Sequence, residues 1–143
     1  MRVLIVDDHE VVRRGLRSLL CEQPNCEVCG EAVDGFDAIE KAQELKPDVI
    51  IMDITMPRLN GVDATRQIRR ILPHSGVLVL SQHESAEMAR HVLKAGARGY
   101  VVKSSVGREL LRAVETVNRG ELFVDPAISS VLGQPYHLDA KVS

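Results

Sequence analysis

Five times along this chain a short apolar run is followed by a segment whose apolar residues recur at helical spacing. That alternation leaves few folds open. Residues 2–6 form a β-branched run, and Val11, Val12, Leu16, Leu19 and Leu20 then mark a helical face that Pro24 closes. Residues 26–32 read as a second strand. Asp34-Gly35 is a turn, followed by a face of Ala38, Ile39, Ala42 and Leu45 that stops at Pro47. Residues 49–52 are the third strand, and Asn60-Gly61 precedes a helix carrying Val62, Ala64, Ile68, Ile71 and Leu72. Residues 77–80 are the fourth strand. Ser85 suits the N-cap of a helix running to about Lys94, which Gly96 stops. Residues 99–102 are the fifth strand, and Leu110, Leu111, Val114 and Val117 mark the last main helix, closed by Gly120. Joining one strand to the next through a helix requires a right-handed crossover between parallel strands. The expected architecture is therefore α/β, a doubly wound five-stranded parallel sheet with helices on both faces.

The four most apolar runs share a second property: each ends abruptly in a polar group. Val3-Leu4-Ile5-Val6 ends in Asp7-Asp8, Val49-Ile50-Ile51-Met52 in Asp53, Val77-Leu78-Val79-Leu80 in Ser81, and Tyr100-Val101-Val102 in Lys103. In an open parallel sheet, ligands bind beyond the carboxyl ends of the strands. These endings would meet there, in one pocket. Three carboxylates held close together repel unless a cation intervenes. Mg²⁺ suits such a site, being a hard ion content with one or two carboxylates, waters and a phosphoryl oxygen. Lys103 adds positive charge and Ser81 a hydrogen-bond donor, a set that fits the oxygens of a phosphoryl group in transfer. A carboxylate can itself be the acceptor, forming an aspartyl phosphate.

Bulk properties bound the partners. The 143 residues suit one domain with a short extension, and 45% apolar residues with only 3% aromatic imply an aliphatic core. A net charge of -2 provides no general attraction to nucleic acid or anionic membrane. No apolar run approaches the roughly 18 to 20 residues that span a bilayer. Met1-Arg2 leads directly into a strand-like run without a signal-peptide pattern. A cytoplasmic location with no membrane partner is expected. Cys21, Cys26 and Cys29 are an odd number, and the Cys26–Cys29 spacing has no second pair to complete a metal site. Buried thiols on opposite strand faces are the better reading.

These residues resemble the receiver domain of two-component response regulators. The likeness is carried by Leu4-Ile5-Val6-Asp7-Asp8-His9, by Asp53-Ile54-Thr55-Met56-Pro57-Arg58-Leu59-Asn60-Gly61, by Leu80-Ser81, and by Lys94-Ala95-Gly96-Ala97-Arg98-Gly99-Tyr100-Val101-Val102-Lys103. It spans about residues 2–120 in the right order. The resemblance implies a flavodoxin-like receiver fold with strand order 2-1-3-4-5. It implies that Asp53 accepts a phosphoryl group from a phosphohistidine on a sensor histidine kinase. It further implies that Asp8, Asp53 and the backbone carbonyl of Thr55 bind Mg²⁺, with Asp7 acting through a water. Ser81 and Lys103 would contact phosphoryl oxygens, and Tyr100 would turn inward when Ser81 moves toward the phosphate. Homodimerisation on phosphorylation is a further implication. The wording of residues 96–100 and 120–124 is most similar to the subfamily with a C-terminal LuxR-type helix-turn-helix. On that likeness, residues 1–120 are the receiver domain. Residues 121–143 are a linker or tail leading toward a DNA-binding domain absent here, since such a reader needs roughly 60 further residues for a small core. DNA would be contacted only through that domain.

Some features depart from the family or compete with it. Ser104 stands where most members have proline after the lysine, and Gln82 stands where many have Ala or Gly. A longer side chain at 82 would shield the phosphoryl site from small donors. His9 follows the acid pair and could approach the metal, though a surface role at the helix start fits it better, and His83 and His91, without metal partners in the sequence, read as surface histidines. Arg90, Lys94, Arg98 and Arg108 lie on or near the expected output face, where simple solvation explains them equally well. Val11, Gly15 and Ser18 mark the less apolar side of the first helix and suit either kinase contact or mere exposure. The product of phosphorylation would be a conformational state, so no turnover enzyme is expected. An aspartate-nucleophile phosphatase of the haloacid dehalogenase type uses a similar set, but Asp53-Ile54-Thr55 lacks its second acid. A stand-alone receiver acting through protein contacts is the remaining alternative. Residues 126–132 suit a short helix, and residues 134–143 have no core pattern.

Overall fold

A computed structural model describes residues 1–56 and 58–132. Side chains are described through Ser129, and the expected tail over 134–143 lies outside the described residues. The elements in chain order are β1 (Arg2–Val6), α1 (Glu10–Leu20), β2 (Glu27–Ala32), α2 (Gly35–Leu45), β3 (Val49–Asp53), α3 (Gly61–Ile71), β4 (Gly76–Ser81), α4 (Ala86–Lys94), β5 (Gly99–Val102), α5 (Val106–Asn118), β6 (Phe123–Val124) and α6 (Pro126–Leu132). The sheet is parallel throughout, in the order β2-β1-β3-β4-β5-β6. The central five strands follow the expected order 2-1-3-4-5.

The sixth strand lies in the stretch that reads as linker. Phe123 and Val124 pair with Gly99 and Tyr100, and Ile128 of α6 is fully buried. Two hydrophobic residues on an exposed sheet edge look like a linker in sequence, because only the free edge of β5 makes them a strand. The short helix expected over residues 126–132 is present.

Strand alternation divides the core into two layers. Leu4, Val6, Ile50, Met52, Val77, Val79 and Tyr100 pack under α2, α3 and α4 through Ala38, Ala42, Ala64, Ile68, Ala89 and Val92. Val3, Ile5, Val49, Ile51, Leu78, Leu80 and Val101 pack under α1 and α5 through Leu16, Leu20, Leu110, Val114 and Val117. Each fully buried aliphatic side chain contributes about 1.5–3 kcal/mol relative to exposure. Few aromatics are needed because both faces of the sheet are covered.

Caps follow the local chemistry. Asp34, Asn60 and Ser85 accept from the backbone N–H groups of Asp37, Asp63 and Met88 at 2.8, 3.0 and 3.0 Å. In β2 the register slips by one between the Val3–Val28 and Leu4–Gly30 pairs, so Cys29 is an extra, bulged residue. By ordinary strand alternation Cys26 and Cys29 pack against different core layers, both only partly buried rather than buried as expected, and all three thiols are free. Burial raises the pKa of both Cys26 and Cys29 above the ordinary thiol value.

Candidate functional site

The parallel register brings the polar strand endings to one rim. Val6 pairs with Met52, so Asp7 and Asp53 emerge side by side from neighbouring strands. Asp53 pairs with Leu80, and Ser81 with Val102, which places Ser81 at the end of β4 and Lys103 just past the end of β5, at the same rim. One carboxylate oxygen each from Asp7, Asp8 and Asp53, with a ring nitrogen of His9, lie within 4.8 Å of one another. Asp7 and Asp53 are buried, at 0% and 2% exposure, while the Asp8 side chain is 28% exposed. The pocket thus has an acidic floor and an open acidic lip.

Lys103 supplies the opposing charge. Its Nζ lies 3.2 Å from Asp53 Oδ1 and 3.5 Å from Asp7 Oδ2. Thr55 donates its backbone N–H to Asp53 Oδ1 at 3.3 Å. These contacts do not fully offset the cost of the site. Burial and then the Asp7 charge push the Asp53 carboxyl above its ordinary value, while Lys103 and the Thr55 N–H pull it down. A cluster of hard oxygen donors with too little positive charge fits a divalent metal ion of the Mg²⁺ type.

The loop between β3 and α3 is held by backbone approach and by an ion pair. A Cβ on Gly61 would lie 2.3 Å from the Asp53 carbonyl oxygen, so a larger residue would push the loop off the acceptor strand. Arg58 adopts a left-handed φ of 67° and reaches Asp34 at 3.0 Å, with its guanidinium 5.2 Å from the Phe36 ring centroid. This clamp ties the loop after Asp53 to the start of α2. The sequence does not reveal it, because its partners are 24 residues apart and each is ordinary alone.

Ser81 is fully buried, and its Oγ accepts from the His83 N–H at 3.1 Å. Tyr100 is also fully buried and donates its hydroxyl to the His83 carbonyl at 2.9 Å. Burial pushes its phenol above the usual tyrosine value, with the Ser81 hydroxyl opposing and the Asp125 carboxylate adding to the shift. The aromatic expected to turn inward therefore stands inward here. The Lys103–Ser104 peptide is trans and opens a 3-10 turn over Lys103–Ser105.

His9 reads as a surface residue in sequence and is only partly that. Its side chain is 65% exposed, yet Nδ1 lies 3.2 Å from Asp7 and 3.1 Å from Asp8. Adjacency to the acid pair is the signal the sequence carries for it. Arg13 has no such mark. It donates to the Asp7 backbone carbonyl at 2.7 Å and to Glu31 at 2.8 Å, anchoring the floor from α1.

The model of the response regulator receiver domain matches residues 3–115. This chain belongs to the response regulator receiver family. The receiver is 39% identical over 136 residues to the transcriptional regulatory protein DegU of Brevibacillus brevis, covering 95% of this chain and 58% of that protein. It thus spans less than two thirds of the length of the curated relatives it matches. A solved LuxR-family two-component response regulator from Aurantimonas sp. SI85-9A1 superposes with a TM-score of 0.88 at 34% identity, covering 99% of this chain and 98% of that one. The isolated receiver domain of RcsB from Salmonella enterica serovar Typhimurium, solved with the phosphomimetic BeF3-, gives 0.85 at 28% identity over 93% and 99% of the two chains. Among the described residues, no helix of this receiver is long and apolar enough to cross a membrane.

Proposed function

We propose that this receiver accepts a phosphoryl group on Asp53 from a phosphohistidine of a sensor histidine kinase. In that step an Asp53 carboxylate oxygen attacks phosphorus, the N–P bond breaks, and a mixed anhydride forms on the side chain. The observation that carries the reading is the Asp53 carboxylate itself, buried beside Asp7 and held 3.2 Å from Lys103. A buried carboxylate with a raised pKa and one cationic partner has the marks of a functional group. Asp8, Asp53 and the Thr55 backbone carbonyl would hold Mg²⁺, with Asp7 acting through a water. When bound, the ion supplies positive charge for the carboxylates and phosphoryl oxygens. Lys103 and Ser81 meet the phosphoryl oxygens, and Tyr100 packs behind Ser81. The charge added at Asp53 then biases a two-state equilibrium of the loop before α4. The outcome is a conformational state rather than a released product.

The receiver proper occupies residues 1–120, with residues 121–143 leading toward an output unit. Likeness to DegU and to a LuxR-family regulator supports transcription control through a DNA-binding domain in the longer protein. Likeness to RcsB, which has been solved as dimers bound to DNA, supports a homodimer formed on phosphorylation. A cytoplasmic location follows from that role.

Intact mass spectrometry with phosphoramidate and Mg²⁺ tests the central step. A gain of one phosphoryl group is expected on the wild type and none on Asp53→Asn. An unchanged adduct on the variant, or no Mg²⁺-dependent adduct on the wild type, would refute the assignment. Gln82 is exposed beside Ser81. Gln82→Ala should therefore react several-fold faster with phosphoramidate, and equal rates would remove the shielding role.

A further inference from the structure

Asp125 is a buried carboxylate, 1% exposed, that phosphoryl acceptance leaves unused. It lies just after β6, in the stretch that reads as linker. Its Oδ2 accepts from the Val102 N–H at 2.9 Å and its Oδ1 from the Ala127 N–H at 3.0 Å. Its own N–H donates to the Tyr100 carbonyl at 2.9 Å. One residue thus joins the end of β5, the first turn of α6 and the backbone of Tyr100. Val102 directly precedes Lys103, the residue whose Nζ reaches Asp53.

A carboxylate is needed there for a physical reason. The β5–β6 ladder ends at the Tyr100–Val124 pair, so β6 offers no backbone carbonyl opposite the Val102 N–H. A buried donor left without a partner is costly. Asp125 satisfies it from the side, and both carboxylate oxygens are engaged, which makes burial of the charge tolerable. Apolar packing continues the attachment. Ile128 is fully buried in the same core layer as Ala89 and Val92 of α4, and Arg98 holds the approach to β6 by donating to the Gly120 carbonyl at 2.8 Å.

Resting on the phosphoacceptor reading, we propose that Asp125 is a positioning residue that couples docking of β6 and α6 to occupation of the Asp53 pocket. The sign follows from one arrangement. Docked β6, inward Tyr100 and Lys103 against Asp53 occur together, so a group that favours the last two favours the first. Coupling between sites is reciprocal: the factor by which a pocket ligand stabilises the docked segment is the factor by which docking tightens that ligand.

Beryllofluoride with Mg²⁺, a phosphoryl mimic, is the probe for both directions on the full chain. Hydrogen–deuterium exchange across residues 122–129 should slow roughly fivefold on its addition, within the usual range of such couplings. Asp53→Asn should show no such change. Asp125→Ala should lose the response and bind beryllofluoride more weakly by a similar factor. Asp125→Asn keeps the shape and one acceptor oxygen, so it should fall between the two and serves if the alanine variant does not fold. A cap with a purely structural role would raise exchange at 122–129 in the variants yet leave beryllofluoride affinity unchanged, which would overturn the coupling. So would a wild type that is fully phosphorylated by phosphoramidate in intact mass but shows unaltered exchange at 122–129. Absence of any phosphoryl adduct would instead remove the phosphoacceptor reading, and the coupling with it.

Discussion

The bodies of the strands and their carboxyl ends are continuous chain, yet they obey opposite rules. Within the bodies of β1, β3 and β4 the core-facing residues are apolar and closely packed, as at Ile5, Ile51 and Leu78, all with no exposure. One residue beyond, the same strands place Asp7 and Asp53 side by side in a buried setting with Lys103 as the cation that reaches both. The bodies lower the free energy of the fold. The rim raises it, because burial and like charge disfavour the ionised Asp53. The rim persists because five packed strands over-determine its geometry. A poised chemical site is thus held by a stable region that takes no part in the chemistry.

The sharpest way to break this comparison is to damage the body. Ile51→Ala should lower stability by about 2–5 kcal/mol in urea unfolding, the range for a large-to-small change in a full core. The folded fraction should still take a phosphoryl group. A loss below about 1 kcal/mol would mean the strand bodies are not the source of stability. Damage to the rim should act in the opposite direction. Asp53→Asn removes a buried like-charge neighbour of Asp7 while Lys103 keeps Asp7 as a partner. It should raise stability by about 1 kcal/mol, or roughly 3–5 °C in thermal unfolding. A destabilised variant would show that Lys103 more than compensates the acid pair.

The same cost should have a pH signature. Below the ordinary carboxylate value of 3.8, Asp53 is protonated in both folded and unfolded chains, so its charge costs nothing. As pH rises toward its raised folded value, the unfolded chain ionises first and the wild type loses stability. The advantage of Asp53→Asn in EDTA should therefore be near zero at low pH and open through that window. Mg²⁺ should narrow it. A gap independent of pH would assign the cost to something other than the Asp53 charge. The smallest effect belongs to ordinary surface charge. Glu10 and Arg14 form an i,i+4 pair with both side chains over 70% exposed, so Glu10→Gln should stay within about 0.5 kcal/mol in the same unfolding assay.

Much of the rim is legible in the sequence, because each of its residues terminates an apolar run. Asp7, Asp53, Ser81 and Lys103 carry that local mark, and a parallel sheet can only bring such endings to one edge. Residues without a local mark cannot be read that way. Arg58 and Asp34 are an ordinary pair until the loop after β3 folds over α2. His9 adjoins the acid pair, yet a histidine at the start of a helix has the pattern of a surface residue. Asp125 follows two hydrophobic residues that read as linker, since a two-residue strand has no periodicity of its own.

By itself the sequence determined the alternation of strand and helix, the two-faced aliphatic core and the chemistry of the rim. Those rest on period and composition, which act over a few residues at a time. Tertiary structure alone decided the sixth strand, the Arg58 clamp, the inward seat of Tyr100 and the place of Asp125 at the end of β5. Each depends on a donor, an edge or a cavity supplied by residues distant in the chain, and no local pattern encodes which distant group will need a partner.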